Sequence, residues 1–371
     1  MKRNHSRLLA ILFCLAALPA AAEAEIVLKL APSDGNPRNS EGDFIQLTDG
    51  RILFVYTRFS GGGSDHDQAD LVSRISSDQG RTWSQEDELV VANEGDLNVM
   101  SVSLLRLADG RIAFFYLQKN SLTDCRPVVR FSTDEAKTWS DPITIISDQE
   151  VGYHVLNNDR VIQLSSGRLV APVSLHHRPG WEKPDWQGEI ACYLSDDGGK
   201  SWRRSKTIQK ASDATGKRIT AQEPGVVELK DGRVLLWIRT SAGEQFRSLS
   251  ADGGDTWSGF EPMGVASPVS PATIERIPSR GDLLLVWNNH SHLPLTQRKA
   301  RTPYTVAISH DDGATWENVK NLHDDPNGWY CYTALTFAGD HVLLGHCAGD
   351  RRKGGLSLTQ ITHFPVDWLY R

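Results

Sequence analysis

One eight-residue pattern recurs five times along the chain and restricts the folds open to it. The pattern is Ser-x-Asp-x-Gly-x-Thr-Trp, with Ala136 replacing the Gly of the second copy and Ser201 replacing the Thr of the third. The copies occupy residues 76–83, 132–139, 195–202, 250–257 and 309–316. Their aspartates are 56, 63, 55 and 59 residues apart. Self-similarity with a regular spacing is typical of a solenoid, a propeller or another array of repeats.

Each copy of this Asp box has the composition of a turn between two strands. Asp bonds nearby backbone N–H groups, and Gly takes positive φ. The Ser or Thr hydroxyl can cap the same turn, and we expect the Trp to pack the turn against its own repeat. One active site does not need five copies of one catalytic group, so we predict a structural role for the box aspartates, which are Asp78, Asp134, Asp197, Asp252 and Asp311.

A second repeat runs out of phase with the boxes. It is a Gly turn between two apolar runs, as in Leu47-Thr-Asp-Gly-Arg51, with close copies at 107–111, 164–168 and 229–233 and looser ones at 277–282 and 337–340. Asp-Gly between apolar, β-rich segments predicts a hairpin. The turn glycines at 50, 110, 167, 232, 281 and 339 define six units.

Each unit therefore reads strand, Gly turn, strand, long loop, strand, Asp box, strand. Six units of four strands predict an all-β protein, a six-bladed β-propeller. The sixth unit lacks a box, and a ring must close without exposed edges. We expect Ile26–Leu30 to close it by pairing with the segment around Leu356–Ile361. No long amphipathic helix and no linker interrupts residues 25–371, which we predict to be one domain.

The N-terminal residues predict a secretory signal peptide at 1–24. Lys2, Arg3 and Arg7 precede the apolar run 8–18, and Ala22-Glu-Ala24 fits a small-x-small cleavage site. The run is too short to span a bilayer, and no later stretch is apolar enough. We therefore expect a secreted or periplasmic protein with no membrane span in its mature form. A formal net charge of −6 without basic runs argues against a nucleic-acid partner.

Two of the cysteines are placed symmetrically about a predicted hairpin. Cys331 and Cys347 lie eight residues on either side of Gly339, so a hairpin centred there would put them opposite each other. A disulfide is open to an exported protein, and two small buried residues are the alternative.

With these repeats, the chain resembles the sialidase (neuraminidase) superfamily of exo-glycosidases, six-bladed propellers that carry such Asp boxes. The resemblance covers nearly all of residues 25–371. It implies a retaining exo-α-sialidase that acts on terminal sialic acid of sialylated glycans, without a metal or an organic cofactor, and we expect a monomer. Other glycan-active propellers also carry boxes. A glycosidase for another sugar, such as rhamnose or a different acidic sugar, and a non-catalytic glycan-binding propeller therefore stay open.

The chemistry of sialic acid indicates which arginines to seek. Its anomeric carbon carries a carboxylate, which guanidinium groups match bidentately without losing their charge. The resemblance assigns this clamp to Arg38, Arg239 and Arg301, with Arg298 as the alternative to the third. Arg38 is followed by Asn-Ser, where the family usually has Ile-Pro, so the local loop differs.

The resemblance also assigns three catalytic residues. A carboxylate nucleophile would be repelled by the substrate, and sialidases use a tyrosine instead. Tyr332 resembles that nucleophile, with Tyr330 as the rival on the same face of a strand. Glu223, sixteen residues before Arg239, resembles the general base. Asp65, in the Gly-rich loop eleven residues before Ser76, resembles the acid, with Asp67 and Asp70 as competitors.

Other polar and aromatic residues have open roles. His176 and His177 could form a catalytic pair, although adjacent strand residues face opposite ways, so one site would not easily use both. Trp181 and Trp186 could stack on sugar rings or pack against the rim. Three more polar residues lie near predicted strand ends, namely Asn98, Asn158 and Arg160.

Overall fold

A computed structural model describes residues 23–371 as an all-β protein. Apart from the strands, these residues form three 3-10 helices, which are Asp148–Glu150, Leu295–Gln297 and Val366–Tyr370. The predicted signal peptide lies outside the described residues except for its last two. Across residues 23–371, no helix is both long and apolar enough to cross a bilayer.

The strands follow one another in groups that match the predicted repeats. The N-terminal strand is β1 (Glu25–Leu30). The first group is β2 (Arg38–Gln46), β3 (Ile52–Phe59), β4 (Ala69–Ser76) and β5 (Glu88–Val91). The second is β6 (Asn98–Arg106), β7 (Ile112–Ser121), β8 (Asp124–Ser132) and β9 (Ile143–Thr144). The third is β10 (Tyr153–Val155), β11 (Ile162–Gln163), β12 (Leu169–His177), β13 (Glu189–Ser195) and β14 (Arg203–Arg204).

The remaining groups continue in the same way. The fourth is β15 (Ala221–Glu228), β16 (Val234–Thr240), β17 (Glu244–Ser250) and β18 (Glu261–Ala266). The fifth is β19 (Thr273–Arg276), β20 (Leu283–Asn288), β21 (Tyr304–Ser309) and β22 (Glu317–His323). The last is β23 (Gly328–Ala338), β24 (His341–Asp350) and β25 (Thr359–Pro365).

Within each group, neighbouring strands pair antiparallel in chain order, apart from the short strands β10 and β11, which both pair with β12. The first, fourth and fifth groups are separate four-stranded sheets. The second and third share a nine-stranded sheet, joined by a parallel pairing of β10 with β8 at Tyr153 and Cys125. Consecutive antiparallel sheets of this kind are the units of a β-propeller. The described residues thus contain five sheets, and the count of six blades stays a prediction.

The ring closes between the two ends of the described chain. Strand β1 is the outer strand of the last sheet and pairs antiparallel with β25, with Leu28 opposite Ile361 and Leu30 opposite Thr359. The predicted closure is therefore confirmed, with the partner strand running from Thr359 to Pro365 rather than from Leu356 to Ile361.

The two predicted turns are both present. In the first Gly turn, Leu47 N–H donates to Arg51 O at 2.8 Å, and Gly50 has a φ of +87°. Each Asp box connects the last two strands of its group. In the fourth box Asp252 accepts hydrogen bonds from the Ser250 hydroxyl at 2.8 Å and from the Thr256 hydroxyl at 2.7 Å. These bonds close the turn locally.

The box tryptophans pack in more than one way. Trp83 contacts Phe54 of its own group, with ring centroids 6.3 Å apart, as predicted. Trp202 instead packs edge-on against Phe115 of the preceding group, with ring centroids 6.0 Å apart. The expectation that each Trp stays within its own repeat is therefore wrong for the third box, because this apolar cluster is shared by the second and third groups.

The two cysteines of the last hairpin are paired across its strands. Cys331 on β23 lies opposite Cys347 on β24, which confirms the predicted hairpin around Gly339. Both are buried free thiols, so the disulfide is absent and the alternative of two small buried residues holds.

Candidate active site

A cleft of about 220 Å³ lies where the first strands of several groups begin. Four of the six predicted site residues line it, which are Asp65, Glu223, Arg239 and Tyr332. Arg38 and Arg301 do not line the cleft. Arg38 contacts Asp65, and Arg301 contacts the ring of Tyr332.

A repeated backbone irregularity aims side chains into the cleft. The first strand of four groups carries a β-bulge, and in each bulge one residue other than Gly has positive φ. The four residues are Glu41 (φ +50°), Ser101 (φ +61°), Glu223 (φ +48°) and Tyr332 (φ +55°), and all four line the cleft. Such conformations cost energy in side-chain-bearing residues and concentrate at functional sites. A bulge re-aims a side chain that regular pleating would place elsewhere.

Close packing holds two of these bulges in place. A Cβ on Gly42 would lie 2.6 Å from both the Phe54 ring and the Val55 carbonyl, and one on Gly225 would lie 2.2 Å from the Trp237 ring. Only glycine fits at positions 42 and 225, one residue after Glu41 and two residues after Glu223. The Asn158 side chain donates to Gly42 O at 2.9 Å and to Tyr332 O at 3.1 Å, which ties two bulges together.

Glu223, Arg239 and Tyr332 form one contact group. Arg239 Nη1 donates to Glu223 Oε1 at 2.6 Å, and the Tyr332 hydroxyl donates to the same oxygen at 3.4 Å. Glu223 Oε2 is buried and has no partner among the described residues. The carboxylate is thus oriented by an arginine and lies within reach of a phenolic proton.

The environment of Tyr332 keeps its phenol neutral. Burial raises the pKa of Tyr332 well above its ordinary value, and the Glu223 carboxylate raises it further. The Arg301 guanidinium lies 5.4 Å from the centre of the Tyr332 ring and opposes this rise. A neutral phenol beside a carboxylate can lose its proton to that base as it reacts.

Arg301 is a buried cation without a carboxylate partner in the described part of the chain. It is 7% exposed and lies between the Trp329 and Tyr332 rings, 5.0 Å and 5.4 Å from their centres. Nη2 donates to Val269 O at 3.4 Å, and Nη1 has no partner. Its competitor Arg298 is exposed and donates to Leu293 O, away from the cleft. The structure therefore brings Arg301, and not Arg298, to the site.

Arg38 is joined to the acid candidate. Its Nη1 donates to Asp65 Oδ1 at 2.5 Å and to Gly63 O at 3.2 Å, while the side chain is 2% exposed. Burial by itself would raise the pKa of Asp65, but the Arg38 guanidinium outweighs it and lowers the pKa below its ordinary value. The Asp65 carboxylate is 54% exposed, so a ligand can reach it.

The competing aspartates have structural partners. The Asp67 carboxylate accepts from Ser64 N–H at 2.7 Å and closes its own loop. The Asp70 carboxylate accepts from Asn93 N–H at 2.8 Å. Neither lines the cleft, so Asp65 is the member of the three that the fold places there.

The expected common face of Tyr330 and Tyr332 is wrong. Tyr330 packs against Tyr304 and His323, with ring centroids 5.6 Å and 5.3 Å away, and does not line the cleft. The bulge between Cys331 and Ala334 breaks the alternation of β23 just after Tyr330. The two tyrosines consequently lie in different environments.

The two histidines also separate, as strand alternation predicts. His176 lines the cleft, and its ring nitrogens contact the Ser174 hydroxyl and Asp185 O, both at 3.1 Å. His177 packs beside Trp181 outside the cleft. Trp186 lines the cleft next to His176 and is 52% exposed, so its ring is open to a ligand.

Sequence reasoning missed Glu41. Its carboxylate is buried 3.6 Å from Arg38 Nη2 and accepts from the Ser101 hydroxyl at 3.3 Å. Burial raises the pKa of Glu41 to about 7 although the Arg38 charge opposes it. One signal was available, because Glu41 and Glu223 are each followed within two residues by Gly near the start of a first strand.

Among residues 23–371, no group of three or more His, Cys, Asp or Glu side chains has the geometry to hold a metal ion.

Comparison with known proteins relates the whole chain to a family. A family model described as the BNR repeat-like domain matches residues 50–345. A sialidase from Micromonospora viridifaciens is 27% identical over 322 residues, covering 77% of this chain and 46% of that protein. The chain therefore spans about half the length of this curated relative.

Two solved structures share the architecture at low sequence identity. A protein of unknown function from Dyadobacter fermentans superposes with a TM-score of 0.72 at 19% identity, over 92% of this chain and 99% of that one. The leech intramolecular trans-sialidase, complexed with 2,7-anhydro-Neu5Ac, superposes with a TM-score of 0.70 at 16% identity, over 94% of this chain and 71% of that one. These likenesses confirm the β-propeller fold of sialidases. Because the family model matches most of its length, the chain belongs to the BNR repeat-like family, within the sialidase superfamily.

Proposed function

We propose that the protein is a retaining exo-sialidase that hydrolyses terminal α-linked sialic acid through a covalent tyrosyl intermediate. One observation carries this proposal. The Tyr332 hydroxyl contacts a carboxylate, Glu223, that is itself held by Arg239 at 2.6 Å. A hydroxyl next to an oriented base is the arrangement of an activated nucleophile. The names of the relatives, sialidase and trans-sialidase, support the same reading.

In the first step, Tyr332 attacks the anomeric carbon while Glu223 takes the phenolic proton. A neutral nucleophile suits this substrate because the carboxylate on the anomeric carbon would repel an anionic one. The raised pKa of Tyr332, which follows from its burial and from Glu223, keeps the phenol neutral until the base acts.

Asp65 supplies the proton to the leaving oxygen and then activates the water that releases the sugar. In the unliganded protein the Arg38 guanidinium holds the pKa of Asp65 low. A substrate carboxylate that pairs with Arg38 would compete for that guanidinium. Loss of the Arg38 contact raises the pKa of Asp65, so binding prepares the acid for its first task.

The substrate carboxylate is held by Arg38, Arg239 and Arg301. The support for Arg301 is its burial without an acidic partner in the described residues, with Nη1 unpaired. A buried cation is costly unless something pairs with it, and a bound carboxylate would do so.

The alternative of a different sugar draws less support from this site. A glycosidase for another sugar would give His176 or His177 a larger role, but both ring nitrogens of His176 already have protein partners. An assay for hydrolysis distinguishes the proposed enzyme from a non-catalytic glycan-binding propeller. Export of the chain and a monomeric state stay predictions.

The test is release of a fluorophore from an aryl α-sialoside, with an aryl rhamnoside as the comparison substrate. We expect hydrolysis of the sialoside, with the α-anomer as the first product by NMR. A fluorinated sialic acid that stalls the second step should leave an adduct on Tyr332, detected by mass spectrometry. Cleavage of the rhamnoside alone, or full activity of the Tyr332→Phe, Tyr330→Phe double variant, would end this proposal.

A further inference from the structure

Lys119 is a buried cation on β7 that no assigned role uses. Its side chain is 2% exposed, yet it is part of the cleft wall. Within residues 23–371, no carboxylate oxygen lies within 4.0 Å of its ammonium, the limit for an ion pair. Two other lysines do have such partners, since Lys206 is 2.9 Å from Asp255 and Lys210 is 2.7 Å from Glu189.

The hydrogen bonds of Lys119 leave its ammonium incompletely satisfied. Nζ donates to the backbone carbonyl of Asp65 at 2.6 Å and to the sulfur of Met100 at 3.2 Å. A thioether is a weak acceptor, and an ammonium has three N–H donors. The ammonium also lies 5.4 Å from the centre of the Tyr153 ring. A buried charge with one strong acceptor is expensive to maintain.

Lys119 and the residues around its ammonium belong to the cleft wall. Asp65, Met100 and Tyr153, which surround Nζ, all line the cleft. The contact to the Asp65 carbonyl does not explain why a lysine is needed, because the Asn98 side chain already donates to that carbonyl at 3.0 Å. Asn98 also donates to Asp67 O at 2.8 Å, and Arg38 donates to Gly63 O at 3.2 Å, so the loop has anchors other than Lys119.

We infer that Lys119 binds the sugar directly, as a fourth cationic contact that holds an oxygen acceptor other than the carboxylate. This inference rests on the proposed sialidase function and adds a determinant of which sugars are accepted. An uncharged oxygen substituent, a hydroxyl or an amide carbonyl, supplies the acceptor that the ammonium lacks. Sugars without an acceptor on the Asp65 side of the cleft leave the charge unsatisfied and bind poorly.

The test uses the 2,3-dehydro derivative of N-acetylneuraminic acid, which binds without being cleaved. Its affinity for the wild-type protein, Lys119→Met and Asn98→Ala is measured by titration calorimetry. Methionine keeps the length of the side chain, and Asn98 still satisfies the Asp65 carbonyl, so we expect Lys119→Met to fold. Removal of a charge-assisted hydrogen bond should weaken binding roughly 10- to 100-fold, whereas Asn98→Ala should weaken it less than about threefold.

Kinetics separates sugar binding from a role in holding the Asp65 loop. If Lys119 only positions Asp65, Lys119→Met should slow cleavage of a poor leaving group such as lactose and spare both an aryl sialoside and the affinity for the dehydro sugar. If Lys119 binds the sugar, KM should rise for both substrates. Unchanged affinity in Lys119→Met, or a loss no greater than that of Asn98→Ala, would overturn the inference.

A set of sugar derivatives that each lack one oxygen substituent identifies the group held. The derivative without the contacted group should bind the wild-type protein more weakly than the parent sugar does. Lys119→Met should bind this derivative and the parent sugar with equal affinity. Losses that simply add for every derivative would show that Lys119 touches none of these groups. If Lys119→Met has a much lower melting temperature than the wild-type protein, the same measurements are made on Lys119→Gln, which keeps an N–H donor without the charge. A wild-type protein that neither binds nor cleaves sialosides would refute the proposed function itself, which is a different outcome.

Discussion

Replacing Glu41 by Gln should remove a pH dependence of folding stability that this residue creates. Burial raises the pKa of Glu41 from an ordinary value of 4.5 to about 7. The folded protein therefore holds this proton more tightly than the unfolded chain does. The resulting stabilisation is fully present below pH 4.5 and is lost as the pH rises through 7.

The magnitude follows from the size of that rise. At about 1.36 kcal/mol for each pKa unit, the change from 4.5 to about 7 corresponds to about 3 kcal/mol. A chain of this length unfolds with an entropy of roughly 0.7 kcal/mol/K, so the effect on the melting temperature is about 4 °C. Glutamine resembles the protonated carboxyl in shape and cannot ionise. The variant therefore keeps, at every pH, the stability that a protonated Glu41 gives the wild-type protein at low pH.

The assay is thermal unfolding of the wild-type protein and Glu41→Gln between pH 4.5 and 8, followed by circular dichroism. We expect the wild-type melting temperature to fall by about 4 °C relative to the variant across this range. The comparison cancels other titrating groups, since both proteins share them. Parallel curves would show that Glu41 titrates at its ordinary pKa and would refute the reasoning from its burial.

Three further changes test the site and the repeats. Tyr332→Phe should lower turnover on the order of 10³-fold or more while the melting temperature is kept, and Tyr330→Phe should change turnover little; the reverse pattern in steady-state kinetics would reassign the nucleophile. Arg301→Lys should raise KM roughly tenfold, since a point charge cannot replace a bidentate fork, and an unchanged KM would remove Arg301 from the clamp. Asp252→Ala should cost about 1–3 kcal/mol in denaturant unfolding because the turn loses its acceptor, and a fall in activity per folded molecule would contradict a purely structural box.

The raised pKa of Glu41 also bears on substrate binding. An ionised Glu41 lies 3.6 Å from Arg38 Nη2 and competes with a substrate carboxylate for that guanidinium. In the proposed function, ionisation through pH 7 therefore disfavours binding at Arg38. Ionisation and substrate binding are linked because Glu41 is buried and its carboxylate lies beside Arg38, the proposed partner of the substrate carboxylate.

The chain's repeats predicted its regular architecture because they are local. A Gly turn needs only the residues on either side of it, and an Asp box is completed by hydrogen bonds that Asp252 accepts from residues two and four positions away. Strand order and ring closure follow from the number of such units. Asp65, Glu223, Arg239 and Tyr332 could be chosen beforehand because their sequence context resembles that of a known family, and the structure brings all four to one cleft.

Only the tertiary structure decided which side chains meet and what charge each one carries. The contact of Tyr332 with Glu223 spans 109 residues of sequence, and the choice against Tyr330 depends on a bulge that no local pattern marks. Glu41 and Lys119 read as ordinary polar residues in the sequence. Their roles arise because the assembled sheets remove both from water and surround them with particular partners, and desolvation and Coulomb interactions depend on distances in space rather than on separation along the chain.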